Sequence, residues 1–335
     1  MASVNLEQIE RVAEIIKKMP DGEHGMNFYS FPGKDDKEVV ASDMYPALNH
    51  PQAVNFFFFT SLHNFGFWYG DDCGYVEPIY GTVNCKHVKG AELLFKVCKK
   101  QLDFDDQFDN NQSVFEPARL AEIKPKELAE IFSDDNGPIP FPNFEERFRM
   151  TRSYGKWFRH FGKYTASPQA ILNVANKSSR SLDTFLTIMR QVAGYNEDQF
   201  EKRQLLLAME LANRPEKFLK VNDPESWKPI VDYHLMRVSL RLGLVDVSEF
   251  ERNILAKREW SSGSKEAEIR GWTWTAVKDL IDKSGKPMSF VDHILWKARK
   301  YCPEMEKPDC PKCVFYEVCE KNIELFQPVF RTTAY

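Results

Sequence analysis

Four cysteines crowd one short stretch near the end of the chain, spaced Cys302-x7-Cys310-x2-Cys313-x5-Cys319. Thiolates this close, in a chain with no export signal, point to metal ligation, because unpaired exposed thiols are a liability. Only one C-x2-C knuckle is present, where a zinc ribbon offers two. The plain alternative is four reduced surface thiols. A second constellation centres on Asp232 in PIVDYHLMRVSLRLGLV (Pro229–Val245). An aspartate just before an apolar-periodic run is by default a helix N-cap, accepting N–H groups that have no partner within the helix. A carboxylate fixed that way can also steady a developing cation or orient a water.

The elements that must hold these groups are mostly helices. Residues 5–18 place Ile9, Val12, Ile15 and Ile16 at amphipathic spacing. Helices are expected over 48–68, 88–102, 125–133, 143–161, 167–175, 180–193, 198–213, 226–243, 248–257, 264–283 and 288–300. Ser167-Pro168 and Asp223-Pro224 read as helix starts, and Gly243 stands where a C-cap belongs. Segment 71–84 reads as a short hairpin, and 103–115, acidic and amide-rich, as a surface loop. The fold class is mainly α with a small β element in the N-terminal third. Three regions are expected: 1–140, helical with the hairpin and an aromatic pocket wall; 141–300, helical and catalytic; and 301–335, the cysteine loop and tail.

The composition, 43% hydrophobic and 28% charged over 335 residues, is globular. A net charge of −4 supplies no field to gather a polyanion, so nucleic acid is not the expected partner. The charged N-terminal segment lacks a signal-peptide core, no apolar run approaches a membrane span, and the seven cysteines are an odd number. These features point to a cytoplasmic protein.

The run around Asp232 resembles the start of the catalytic helix in the helix-hairpin-helix DNA glycosylase superfamily, V-D-T-H-x-x-R-V-x-x-R-L-G. Here the matching residues are Val231, Asp232, His234, Arg237, Val238, Arg241, Leu242 and Gly243, with Tyr233 in place of the threonine. The resemblance puts Asp232 at the superfamily's catalytic aspartate, with Tyr233 and His234 as neighbouring contacts and Arg237 in support. Breaking an N-glycosidic bond builds positive charge on the sugar C1′ and ring oxygen, which a nearby carboxylate stabilises. At ~4 Å and an effective dielectric of ~20 this is about 4 kcal/mol, or about three decades of rate. The cysteine spacing resembles the C-x6-C-x2-C-x5-C loop of endonuclease III-type glycosylases, with a longer first gap. It implies a structural [4Fe–4S] cluster on Cys302, Cys310, Cys313 and Cys319, with zinc as the alternative. The superfamily's DNA-gripping hairpin has no counterpart: NRPEKFLKVNDPESWKPIVD, before and up to Asp232, contains no glycine.

Further segments are similar to the queuosine salvage family. They are NFFFFTSLHNFGFW (Asn55–Trp68), FPNFEERFRMTRSYGK (Phe141–Lys156), FEKRQLLL (Phe200–Leu207), VDYHLMR (Val231–Arg237), EAEIRGWTW (Glu266–Trp274) and VDHILW (Val291–Trp296), in the family's order. The resemblance implies a queuosine nucleotide cleaved to queuine and ribose 5-phosphate. It also implies a glycosylase-like helical scaffold without the hairpin. On that reading Asn64, Phe65, Phe67 and Trp68 suit a stacking wall for a deazapurine, whereas Phe56–Phe59 read as core. Lys202 or Arg203 suits the 5′-phosphate. Glu268 and Arg270 fall in a matched segment, and Asp292 and Trp296 share a helix face and suit the base. Glu145, Glu146 and Arg147 read as a structural ion network. Two other readings remain open: an iron–sulfur DNA base-excision glycosylase, and a non-catalytic modified-base binding protein in which Asp232 is only a cap.

Overall fold

A computed structural model of the chain describes residues 2–20, 27–32, 39–41, 43–107, 113–165 and 167–335, without the side chains of 30–32, 39–41 and 161–165. The chain forms two compact units. The first comprises Met1–Gly25, Gly70–Val76 and Lys228–Arg331, and the second Met26–Tyr69, Glu77–Trp227 and Thr332–Tyr335. The architecture is mainly α, with only two-stranded sheets among the described residues.

Helix α1 (Leu6–Lys18) opens the first unit. Asn5 caps it by accepting the Gln8 N–H, and Ile9, Val12 and Ile16 are buried. The second unit is built from α2 (Ala53–Leu62), α3 (Gly90–Gln107), α4 (Pro117–Leu120), α5 (Pro125–Ile131), α6 (Phe144–Thr165), α7 (Pro168–Lys177), α8 (Ser181–Met189) and α9 (Lys202–Asn213). Helix α2 is apolar on all sides and every residue from Phe56 to Leu62 is buried, so it forms the axis of that unit's core. Helix α4 lies close against α6 because residue 155 is glycine: a Cβ there would stand 2.2 Å from the Ala121 backbone nitrogen. The first unit resumes with α10 (Tyr233–Leu242), α11 (Glu249–Lys257), α12 (Gly263–Ser284) and α13 (Met288–Ala298). Helix α12 packs against α1, α10 and α13. Ser3–Val4 pairs antiparallel with Val245–Asp246.

Several boundaries differ from expectation for identifiable reasons. The helix expected over 226–243 begins only at Tyr233. Pro224–Ser226 forms a single 3-10 turn, and Pro229 disfavours helix in the residue before it. The helix expected over 48–68 is confined to α2, and the one expected from 198 starts at Lys202 after Glu201 takes a left-handed conformation (φ 57°). The tight hairpin is displaced from 71–84. Tyr80–Val83 pairs with Lys86–Lys89, and both turn residues, Asn84 and Cys85, have positive φ, as a two-residue primed turn requires. Residues 103–107 continue α3 rather than forming a loop, and 108–112 lie outside the described residues. Among the described residues, no helix is long and apolar enough to cross a membrane.

Candidate active site

Asp232 is the N-cap of α10. One carboxylate oxygen accepts the Leu235 N–H at 3.0 Å. Among the described residues the other oxygen has no partner, and the side chain is only partly buried. The carboxylate is therefore fixed in orientation while one oxygen stays open to a water or a ligand. Its backbone is fixed from behind as well. Arg270, buried on α12, donates from Nε and Nη2 to the carbonyl of Val231 at 3.2 and 3.1 Å. A guanidinium fork on the carbonyl just before the cap sets the direction in which the chain enters α10.

The next turn of α10 is held by a polar cluster. Arg237, fully buried, donates from Nη2 to His234 Nδ1 at 2.9 Å and from Nη1 to Gln327 Oε1 at 2.9 Å. Because arginine only donates, Nδ1 is an acceptor and neutral His234 carries its proton on Nε2. Glu304 Oε1 lies 3.5 Å from His234 Nδ1 and 3.7 Å from Arg237 Nη2. Tyr233 is half-buried, and desolvation together with the Asp232 charge pushes its phenol up, so it remains a neutral donor. On α12, Glu268 accepts from the Ala2 N–H at 2.8 Å and from Lys265 Nζ at 3.0 Å. Lys265 and that N–H hold its carboxyl below the usual range. On α13, Asp292 is buried and Trp296 half-buried, with the Arg299 guanidinium 3.8 Å above the indole. Asp232, Tyr233, His234, Glu268, Arg270, Asp292 and Trp296 thus all belong to the first unit.

Asn64, Phe65, Phe67, Trp68, Lys202 and Arg203 belong to the second unit, where they form a different structure. Here the chain leaves α2 through residues 62–66, and cations meet their carbonyl groups. Arg203 Nη1 donates to Leu62 O at 2.9 Å, and Lys202 Nζ donates to Asn64 O at 2.9 Å and to Asn64 Oδ1 at 2.8 Å. Arg147 donates to the carbonyls of His63 (2.7 Å), Phe65 and Gly66 (3.3 Å), and its Nε reaches Pro142 O at 3.0 Å. The Phe65 ring lies near both guanidinium groups, 4.2 Å from Arg147 Cζ and 5.5 Å from Arg203 Cζ. Phe65, Phe67, Trp68, Asn64, Lys202 and Arg203 are all buried. Phe56–Phe59 are core, as expected. Among the described residues Arg147 makes no close ion pair with Glu145 or Glu146: both are exposed, and its hydrogen-bond partners are carbonyls.

Sequence reasoning missed Glu304 and Gln327. Glu304 sits inside the cysteine-rich segment, between Cys302 and Cys310, which was its available signal. The four cysteines themselves line one cavity, together with residues of α10 and α13.

Comparison with known proteins bears on this arrangement. Residues 44–316 match the family described as Queuosine salvage protein. The chain belongs to the queuosine salvage protein family. It is also similar to a queuosine 5′-phosphate N-glycosylase/hydrolase of Bos taurus, 24% identical over 306 residues that cover 82% of this chain and 84% of the relative. The region shared with the family contains Asp232, Arg270 and the cations around residues 62–66. It ends between Cys313 and Cys319.

Proposed function

We propose that this chain is a hydrolase of N-glycosyl bonds that cleaves queuosine 5′-phosphate to queuine and ribose 5-phosphate, with Asp232 as the catalytic carboxylate. The observation that carries the reading is the cap geometry, in which one oxygen is fixed by Leu235 and the other is open. Family membership and the name of the bovine relative support the substrate class. As the bond from C1′ to the base nitrogen lengthens, positive charge grows on C1′ and the ring oxygen, and the fixed carboxylate opposes it. The open oxygen takes a proton from the attacking water, whose hydroxyl joins C1′, and passes that proton to the departing base nitrogen, so the carboxylate is regenerated. Arg270 and the His234–Arg237–Glu304 cluster are positioning residues. Tyr233 and Trp296 offer rings to the deazapurine.

The test is base release from queuosine 5′-phosphate, run beside damaged-base duplex DNA. Asp232→Asn keeps the cap, because asparagine also accepts the Leu235 N–H, so folding is retained while kcat falls about a thousandfold. A wild-type rate in this variant, or release from duplex alone, overturns the proposal.

A further inference from the structure

The cysteine cavity faces α10, and the segment that carries the thiols grips this helix at both ends. At the C-terminal end, α10 closes on Gly243 in a left-handed conformation (φ 81°), and the carbonyls left over there are met by the segment. Asn322 N donates to Arg241 O at 3.2 Å, Asn322 Nδ2 to Leu240 O at 3.2 Å, and Glu320 N to Leu242 O at 3.4 Å. Glu320 sits so close to Gly243 that a Cβ there would stand 2.2 Å from its carboxyl carbon. Arg241, from the last turn, reaches back into the segment through Leu325 O at 2.8 Å, Pro303 O at 3.0 Å and Cys302 Sγ at 3.2 Å. At the other end, Glu304 and Gln327 hold His234 and Arg237, one turn from Asp232.

The thiol set has the chemistry of a cluster site. Cys302, Cys310, Cys313 and Cys319 are all free and partly buried around one cavity, with Val238, Phe315 and Ile323 among its apolar walls. A 3-10 turn at Cys310–Lys312 brings the C-x2-C pair round, and Cys313 N donates to Cys310 O at 3.0 Å. Two sulfurs already accept N–H groups: Cys302 from Arg241 and, at 3.3 Å, Cys319 from Lys321 N. Such bonds stabilise thiolate ligands. A [4Fe–4S] cluster takes one thiolate for each of its four irons, and four cysteines line this cavity.

We infer that these four cysteines bind a [4Fe–4S] cluster that locks residues 302–327 onto α10 and so holds Asp232 in place. The cluster assignment is independent of the substrate, whereas the effect on Asp232 rests on the proposed hydrolase reading. The full chain, produced in iron-replete cells and purified without oxygen, is assayed for iron, acid-labile sulfide and zinc, and for sulfur-to-iron charge-transfer absorption. Four iron and four sulfide per chain are expected, retained in Cys73→Ser and lost in Cys313→Ser. Stoichiometric zinc without sulfide, a metal-free wild-type protein, or a cluster that survives Cys313→Ser overturns the assignment. In Arg241→Leu, faster amide exchange in α10 and a kcat lowered at least about tenfold at similar KM are expected. Unchanged exchange and kcat in a cluster-loaded Arg241→Leu protein would remove the positioning role. A cluster-loaded wild-type protein that releases no base would refute the substrate reading and leave the cluster standing.

Discussion

The start of α10 and the exit from α2 are both places where charge meets a helix terminus, yet they end in opposite states. At the exit from α2, Arg147, Lys202 and Arg203 direct their donors at carbonyls of residues 62–66. Cations at a helix C-terminus meet orphan carbonyls and the negative end of the helix dipole, which offsets part of the cost of burying them. At the start of α10, Asp232 meets the N–H groups with only one of its two oxygens. The difference separates cations that bind the fold's own carbonyls from a carboxylate with one oxygen left open. Residue type alone does not make that distinction, because both regions are rich in charges beside aromatic rings.

Three measurements sharpen the contrast or break it. The largest effect on stability is expected for Arg147→Met, which removes a donor from the carbonyls of His63, Phe65 and Gly66. It should lower unfolding free energy by at least about 3 kcal/mol in denaturant titration. A stable but inactive variant would make the exit from α2 a substrate site instead. Next, Arg270→Met should lower kcat about tenfold to a hundredfold with KM little changed, since it frees the carbonyl before Asp232 without removing the carboxylate. An effect on KM alone would make Arg270 a binding residue.

The smallest effect concerns Glu210, buried in α9, where Ser61 donates to one carboxyl oxygen. Burial pushes its carboxyl up to about 8. The folded protein therefore holds a proton here that the unfolded chain releases above the ordinary glutamate range. Stability from this group is fully present below about pH 4 and is lost as pH rises through about 8. Glu210→Gln should raise the melting temperature at pH 8 by about 3 °C or more and lose that advantage near pH 4.5. A pH-independent difference would mean that Glu210 is ionised throughout.

What could be read in the sequence follows the range of the interactions. The cap at Asp232, the end of α10 at Gly243 and the cysteine spacing are local patterns, and the structure puts an N-cap, a left-handed C-cap and one shared cavity at those places. The late start of α10 was also encoded locally, in Pro229, but apolar periodicity outweighed it. The hairpin was displaced because its primed turn uses Asn84-Cys85, without the glycine that usually marks such turns. Partners distant in sequence were not legible. That Lys202 and Arg203 reach Asn64 and Leu62, 138 and 141 residues away, could not be read from the sequence.

The strand Ser3–Val4 and helix α1 belong to the unit completed by Lys228–Arg331. During synthesis this opening segment must wait for some two hundred residues to be made, roughly ten to forty seconds at ordinary elongation rates. The unit bounded by Met26 and Trp227 emerges in the meantime and, but for its last four residues, is ready to fold. The apolar face of α1 (Ile9, Val12 and Ile16) stays without its α12 partner throughout that interval. The nascent chain therefore carries a sticky amphipathic leader until Asp232 and the elements that hold it have left the ribosome.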